Sequence, residues 1–283
     1  MRGYAFIIVA VVASLIIQQP ELVTGQAKVP AMFVLGDSLV DVGNNNFLAS
    51  VAKANYLPYG IDLNFRPTGR FSNGMNFIDL LAQLLGISSP PPFADPTTSG
   101  NRILGGVNYA SAAAGILDES GQNYTLYGLG LRKMYITGVA PLGCLPNQRA
   151  TGIAPPERCV DTVNQILGTF NQGIRSIVDQ LNRRLPGAIY VYGNTYGAFG
   201  DMLNNPAAYG FSVVDRACCG IGRNQGQITC LPFQNPCSNR SQYLFWDAFH
   251  PTQTALSVLV RRAFYGPPID AYPVNIQQMT LLH

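Results

Sequence analysis

Three side chains in two segments far apart in the sequence have the types that nucleophilic catalysis needs: Ser38 in VLGDS, and Asp247 and His250 in FWDAFHP. A serine hydroxyl is a weak nucleophile until a neighbouring base takes its proton, and that base works best when a third group fixes its tautomer. Histidine is the side chain that titrates near neutrality without a large environmental shift, and the chain has two, His250 and the last residue, His283. Pro251 biases His250 away from helical backbone, so Asp247 and His250 fall on one loop entering the last helix. From there the carboxylate can accept the imidazole Nδ1–H and leave Nε2 facing Ser38. The chemistry so described is nucleophilic attack by a base-activated serine hydroxyl. Taken alone, each residue has a plainer reading: Asp247 belongs near a helix start, His250 on the surface, and a bare GDS is unspecific.

The elements that must position these residues follow from apolar periodicity. VPAMFVLGDS reads as a buried strand over 31–35 ending at Gly36, which puts Ser38 just past its carboxyl end, where open α/β sheets gather functional groups. Ser38 lacks a G-x-S-x-G frame, which excludes the nucleophile elbow of the α/β-hydrolases. After the polar stretch through PTGRFSNG, Phe77, Leu80, Leu81, Leu84 and Leu85 stand at helical spacing and predict a helix over 76–85, stopped by Gly86. The proline-rich residues 88–102 read as an irregular loop, and GGVNYASAAAG (105–115) as a short strand running into a small-residue turn. KMYITGVAP (133–141) predicts another buried strand. The strongest helix starts near Asp161, with Val163, Ile166, Leu167, Phe170, Ile174, Ile177, Val178 and Leu181 forming an apolar stripe. AIYVYG (188–193) follows as a strand, and Pro251 is expected at the first position of a last helix that buries Leu256, Leu259, Val260, Ala263 and Phe264. Alternating strand, helix and strand is the signature of parallel α/β architecture.

Composition bounds the function. With 283 residues, 47% of them hydrophobic and 12% charged, the chain can bury a substantial core as one domain. Its formal charge of +3 comes from scattered arginines with no dense basic cluster, which argues against a nucleic-acid partner. The first residues combine Arg2, an apolar run from Tyr4 to Ile17, and small residues at Thr24 and Gly25. This predicts a signal peptide over 1–26, a mature domain over 27–283 and a secreted, extracellular protein without a transmembrane segment, because the apolar run is too short to span a bilayer. Six cysteines in an oxidising compartment, Cys144, Cys159, Cys218, Cys219, Cys230 and Cys237, predict disulfides, and a Cys144–Cys159 bridge would close a loop rich in Gly and Pro. A zinc site is the weaker reading, since no histidine lies among them and no C-x-x-C pair occurs. Asn123 and Asn239 head N-x-S/T sequons compatible with glycosylation.

The ordered set FVLGDSLVDVGNNN, PTGRFSNG, GVNYASAAAGI, GVAPLGC, CCG with GQITC, and FWDAFHP resembles the plant-type GDSL lipases/esterases of the SGNH-hydrolase superfamily. The resemblance runs through nearly all of the mature chain. It implies a three-layer α/β/α flavodoxin-like fold with a parallel central sheet, and a monomeric serine-ester hydrolase acting on small or lipid esters without metal or organic cofactor. By the same match Ser38 is the nucleophile, His250 the base and Asp247 its orienter, with the backbone N–H groups of Ser38 and Gly106 as oxyanion donors. Two departures stand out. Ala112 and Ala113 occupy positions where the family often carries glycine. The third conserved block, a central strand ending in G-x-N-D whose asparagine is a further oxyanion donor, has no counterpart: the chain runs through ILDESGQNYTLYGLGLRKMYITG, shortened around 118–131. Asn44, Asn45, Asn46 and Asn108 are the nearby polar side chains, with turn chemistry as their ordinary use. The expectation is an esterase, reduced or lost in activity; a non-catalytic secreted glycoprotein that binds acylated lipid or cell-wall ligands, and a truncated inactive product, are the alternatives.

Overall fold

The fold is that of a computed structural model, which describes residues 27–115, 126–155 and 158–282; the expected signal peptide over 1–26, Asn123 and His283 lie outside them. Its elements are α1 (Phe77–Leu85), β1 (Lys133–Thr137), α2 (Pro146–Ala150), α3 (Asp161–Arg184), β2 (Ile189–Gly193), α4 (Thr195–Asn204), β3 (Val213–Ala217), β4 (Tyr243–Phe245), α5 (Gln253–Tyr265), β5 (Ala271–Tyr272) and α6 (Ile276–Leu281). β1 and β2 pair in parallel, Tyr135 opposite Val191, and β5 adds antiparallel beside β2. Strand alternation splits their side chains between two faces. Tyr135 and Val191 pack with α1, α5 and α6, whereas Met134, Tyr190 and Tyr192 pack under Val178 and its neighbours on α3. Three layers, helix over sheet over helix, result.

The ends of these elements are built from short polar side chains. Asn76 caps α1 by accepting the N–H groups of Ile78 and Asp79, while the Asp79 carboxylate accepts the Asn76 N–H, so the first turn closes on itself. Gly86 ends the helix in the left-handed region at φ 71°, as its position after Leu85 predicts. The last helix starts later than the proline predicts. Thr252 is its cap, through a hydroxyl that accepts the Ala255 N–H, and Pro251 lies outside it in an antiparallel bridge with Phe245. Leu256, Leu259, Val260, Ala263 and Phe264 are buried as the periodicity requires.

The first predicted strand is present as a short ladder. Met32 and Val34 donate to the Gly105 and Val107 carbonyls, and Tyr109 and Ser111 donate to Val34 and Gly36, so the two segments run in parallel with Val34 opposite Asn108. Among the described residues this pair hydrogen-bonds to neither β1 nor β2, and the parallel sheet is therefore divided. A second, two-stranded parallel sheet joins β3 to β4. All three disulfides are formed: Cys144–Cys159 as the loop composition predicts, and Cys218–Cys237 and Cys219–Cys230, whose pairing was not legible.

Candidate active site

Asp247 and His250 share a tight hairpin. β4 ends at Phe245, Trp246 donates its N–H to the His250 carbonyl, and Phe245 pairs with Pro251 across the turn. Within the turn, Asp247 Oδ1 accepts the backbone N–H groups of Phe249 and His250, both at 2.9 Å. This is the local use of an aspartate that favours turns, and it fixes the carboxylate against the imidazole of the residue that closes the turn. His250 Nδ1 lies 2.8 Å from Oδ1 and 2.9 Å from Oδ2. An ionised carboxylate only accepts, so Nδ1 carries the proton and Nε2 of the neutral ring is an acceptor. Across the site, Ser38 Oγ is 2.8 Å from Nε2. The hydroxyl therefore donates to the ring, the arrangement in which a serine can pass its proton to a base.

The electrostatics fit those roles. Asp247 is fully buried, and burial by itself pushes its carboxyl upward, but the His250 imidazole and the hydrogen bonds donated by His250, Tyr59 and the Phe249 N–H outweigh it and hold the group below the usual carboxylate range. The Tyr59 hydroxyl donates to Oδ2 at 2.6 Å. Phe71 and Phe249 flank the imidazole with ring centroids 5.0 and 6.2 Å away. Leu39 and Phe249, the sequence neighbours of Ser38 and His250, are exposed apolar residues.

Gly106 is not part of this constellation. The parallel register sets Val34 opposite Asn108, so Gly106 lies back beside Met32, at the end of the ladder away from Ser38. Its N–H is donated to the Ile103 carbonyl at 3.0 Å. A Cβ at Gly106 would sit 1.9 Å from the Met32 carbonyl oxygen, so this glycine permits close approach of two backbones. The same register places the Ser111–Ala114 turn level with Ser38. There Ser111 donates to Gly36, Ala112 to Asp41 and Asn45, and Ala114 to Ser111. Ala113, at φ 68°, keeps an N–H with no acceptor among the described residues, and so does Ser38. The departure from glycine at Ala112 and Ala113 was the signal that marked this turn.

The four asparagines are structural. Asn44 donates to the Asn108 and Ala110 carbonyls, Asn45 to those of Ala52 and Ala112, Asn46 to that of Thr68 and Asn108 to that of Val40. Asn44, Asn45 and Asn108 tie the loop after Ser38 to the 108–112 segment, and Asn46 ties it to Thr68. Asn239 is exposed, with its Oδ1 accepting from Ser241 at 2.8 Å. No cluster of His, Cys, Asp and Glu among the described residues has the arrangement of a metal site.

The sequence matches the family described as GDSL-like Lipase/Acylhydrolase over residues 32–127 and 120–263. The chain belongs to that family. A GDSL esterase/lipase of Arabidopsis thaliana is 63% identical over 362 residues, covering 99% of this chain and 96% of the relative. A second from the same plant is 42% identical over 341 residues, covering 90% and 89%, and GDSL esterase/lipase 7 is 36% identical over 342 residues, covering 91% and 93%. Family membership agrees with the mixed α/β fold and its mostly parallel pairing. No helix among the described residues is long and apolar enough to cross a membrane.

Proposed function

We propose that the chain is a carboxylic ester hydrolase working through Ser38, His250 and Asp247, and the observation that carries this is the 2.8 Å contact between Ser38 Oγ and His250 Nε2. Ser38 attacks the ester carbonyl carbon as His250 Nε2 takes the hydroxyl proton. Asp247 stabilises the imidazolium that forms. Collapse of the tetrahedral intermediate breaks the ester C–O bond, and the alcohol leaves with the proton from Nε2. Water then attacks the acyl-serine with His250 as base, and the acid product departs. The N–H groups of Ser38 and Ala113 are the proposed oxyanion donors. No step calls for a metal or cofactor, and Ser38, His250 and Asp247 all come from one chain, which is compatible with a monomeric enzyme.

We further propose that the protein is secreted after removal of residues 1–26 and that an internal block is absent near 118–131. The three disulfides and the N-terminal composition support secretion. Two findings support the shortening. The family match falls into two pieces that meet at 120–127. The alignment with the 63% relative runs over 362 positions against 283 residues here, an excess that residues of the relative without a counterpart must supply. The missing oxyanion donor would lower kcat by ~10²–10³.

The test is hydrolysis of p-nitrophenyl butyrate by the purified protein beside Ser38→Ala. Turnover confined to the wild type is expected. Turnover that survives Ser38→Ala would sink the mechanism, and none from a cooperatively melting wild type would return the chain to the reading of a binding protein.

A further inference from the structure

We propose that Tyr59 is a fourth member of the catalytic relay, a positioning residue that holds the Asp247 carboxylate from behind and sets how strongly it attracts a proton on His250. The proposal rests on the assignment of His250 as base. Its basis is geometric. Tyr59 is among the most deeply buried large side chains, and its hydroxyl meets Asp247 Oδ2 at 2.6 Å, inside an apolar shell that excludes competing water. The ring is clamped edge-on by Tyr56 at 5.3 Å, Phe71 at 6.0 Å and Trp246 at 6.2 Å. Tyr56 in turn donates to the Cys230 carbonyl at 3.0 Å, and Cys218, Cys219 and Cys230 lie in the same cluster. The Cys219–Cys230 and Cys218–Cys237 bridges therefore brace the wall against which Tyr59 stands.

The two oxygens of Asp247 are served differently. Oδ1 is held by the Phe249 and His250 N–H groups, which belong to its own hairpin. Oδ2 has no backbone donor, and Tyr59, from the distant 54–61 segment, is its donor beside the imidazole. A hydroxyl donating to a carboxylate draws off part of its charge. Burial and the nearby Asp247 charge hold the Tyr59 phenol far above its ordinary range, so it stays a donor throughout the working pH. Phe71 also packs against both Tyr59 and His250, so one apolar wall fixes donor and base together.

Removing the hydroxyl leaves Oδ1 anchored and more negative charge facing the ring, which favours the imidazolium. The groups against His250 are Asp247 on its own hairpin, Ser38 across the site, and the aromatic rings of Phe71 and Phe249; the Tyr59 hydroxyl acts on the ring through Asp247, while the Phe71 packing is kept in Tyr59→Phe. The experiment is an NMR pH titration of the His250 imidazole in Tyr59→Phe against the wild type, both in a His283→Gln background so that one histidine remains. The titration midpoint should rise by about half a pH unit, the scale of one charge-assisted hydrogen bond acting through a neighbour. The acid limb of kcat/KM should move the same way, with kcat/KM down about tenfold. A midpoint unchanged or lowered, whatever happens to the melting temperature, would overturn the proposal and reduce Tyr59 to a packing residue. The imidazole titrates whether or not the enzyme turns over, so failure here is separable from failure of the hydrolase reading, which Ser38→Ala decides. Should Tyr59→Phe lose its cooperative melt, fluorotyrosine incorporation keeps the ring and strengthens the donor. The midpoint must then fall, and an unchanged one would overturn the proposal equally.

Discussion

At the scale of single residues, the sequence exposes chemistry where the residue type is scarce and conceals it where the backbone acts. His250 stands out because neutral-pH bases are few here, and Asp247 because it precedes that base at turn spacing. Ser38 gains its meaning from the strand before it. Tyr59 carried no such mark, since its role depends on the distant 54–61 segment folding against the hairpin. Gly106 misled for a related reason: an oxyanion donor is a backbone group, and only the register of Val34 with Asn108 tells which N–H stands level with Ser38. The role of Asp247 has a sharp test. Asp247→Asn puts an amide against Nδ1, and an amide nitrogen turned to the ring can hold Nε2 in the protonated tautomer, unable to take the Ser38 proton. The expected loss in kcat is about 10⁴-fold with the protein still folded, by the tautomer argument for such triads. Retention of more than a tenth of the wild-type kcat would show that the carboxylate does not orient the base.

At the scale of elements, periodicity located α1, α3 and α5, because each carries apolar residues at helical spacing, and left the shorter α2, α4 and α6 unread. It could not say what holds them together. PTGRFSNG read as a polar stretch, yet Arg70 forks onto Asp79 of α1 at 2.6 and 2.7 Å. Asn73 Oδ1 accepts the Gln253 N–H, and Gln253 Oε1 accepts the Met75 N–H, so the loop stitches the start of α1 to the start of α5, beside the His250 hairpin. Burial pushes the Asp79 carboxyl upward, but the Arg70 bonds and charge, with smaller help from the Asn76 N–H and Ser89, leave it below its usual range. A folded value below the unfolded one stabilises the protein above the ordinary aspartate range of about 3.9 and is lost as pH falls through the folded value. Arg70→Ala should therefore cost about 3 kcal/mol near neutrality, as expected when one partner of a largely buried pair is removed. Denaturant melts of both proteins should converge as pH drops below about 4. A gap that stays constant across that range would mean that Arg70 acts through packing.

At the scale of the whole molecule, the exposed apolar surface is where the proposed internal shortening can be tested. Val34 is buried and packs with Ile78 of α1, whereas its neighbours Phe33 and Leu35, which strand alternation turns to the other face, are 45% and 61% exposed. On the α3 side of the sheet, Ile166 and Ile177 are 70% and 52% exposed although they belong to the helix's apolar stripe. The periodicity of α3 was read correctly from sequence; what covers it was not, because an apolar stripe states a need for a partner without supplying one. An inserted strand with flanking helices, as in the proposed full-length arrangement, would offer such apolar surfaces a partner. Grafting the additional internal segment of the 63% relative between Gly115 and Arg132 should bury them and restore a parallel strand between the Val34 ladder and β1. If the asparagine at the end of that strand is the donor this chain lacks, kcat for p-nitrophenyl butyrate should rise by well over tenfold, within the ~10²–10³ that one oxyanion donor contributes. The melting temperature should rise as well, since burying large aliphatic and aromatic side chains is worth roughly 1.5–3 kcal/mol each. A graft that raises stability while leaving kcat unchanged would show that Ser38 and Ala113 already suffice as donors. One that raises neither would mean that the division of the sheet is this protein's settled form.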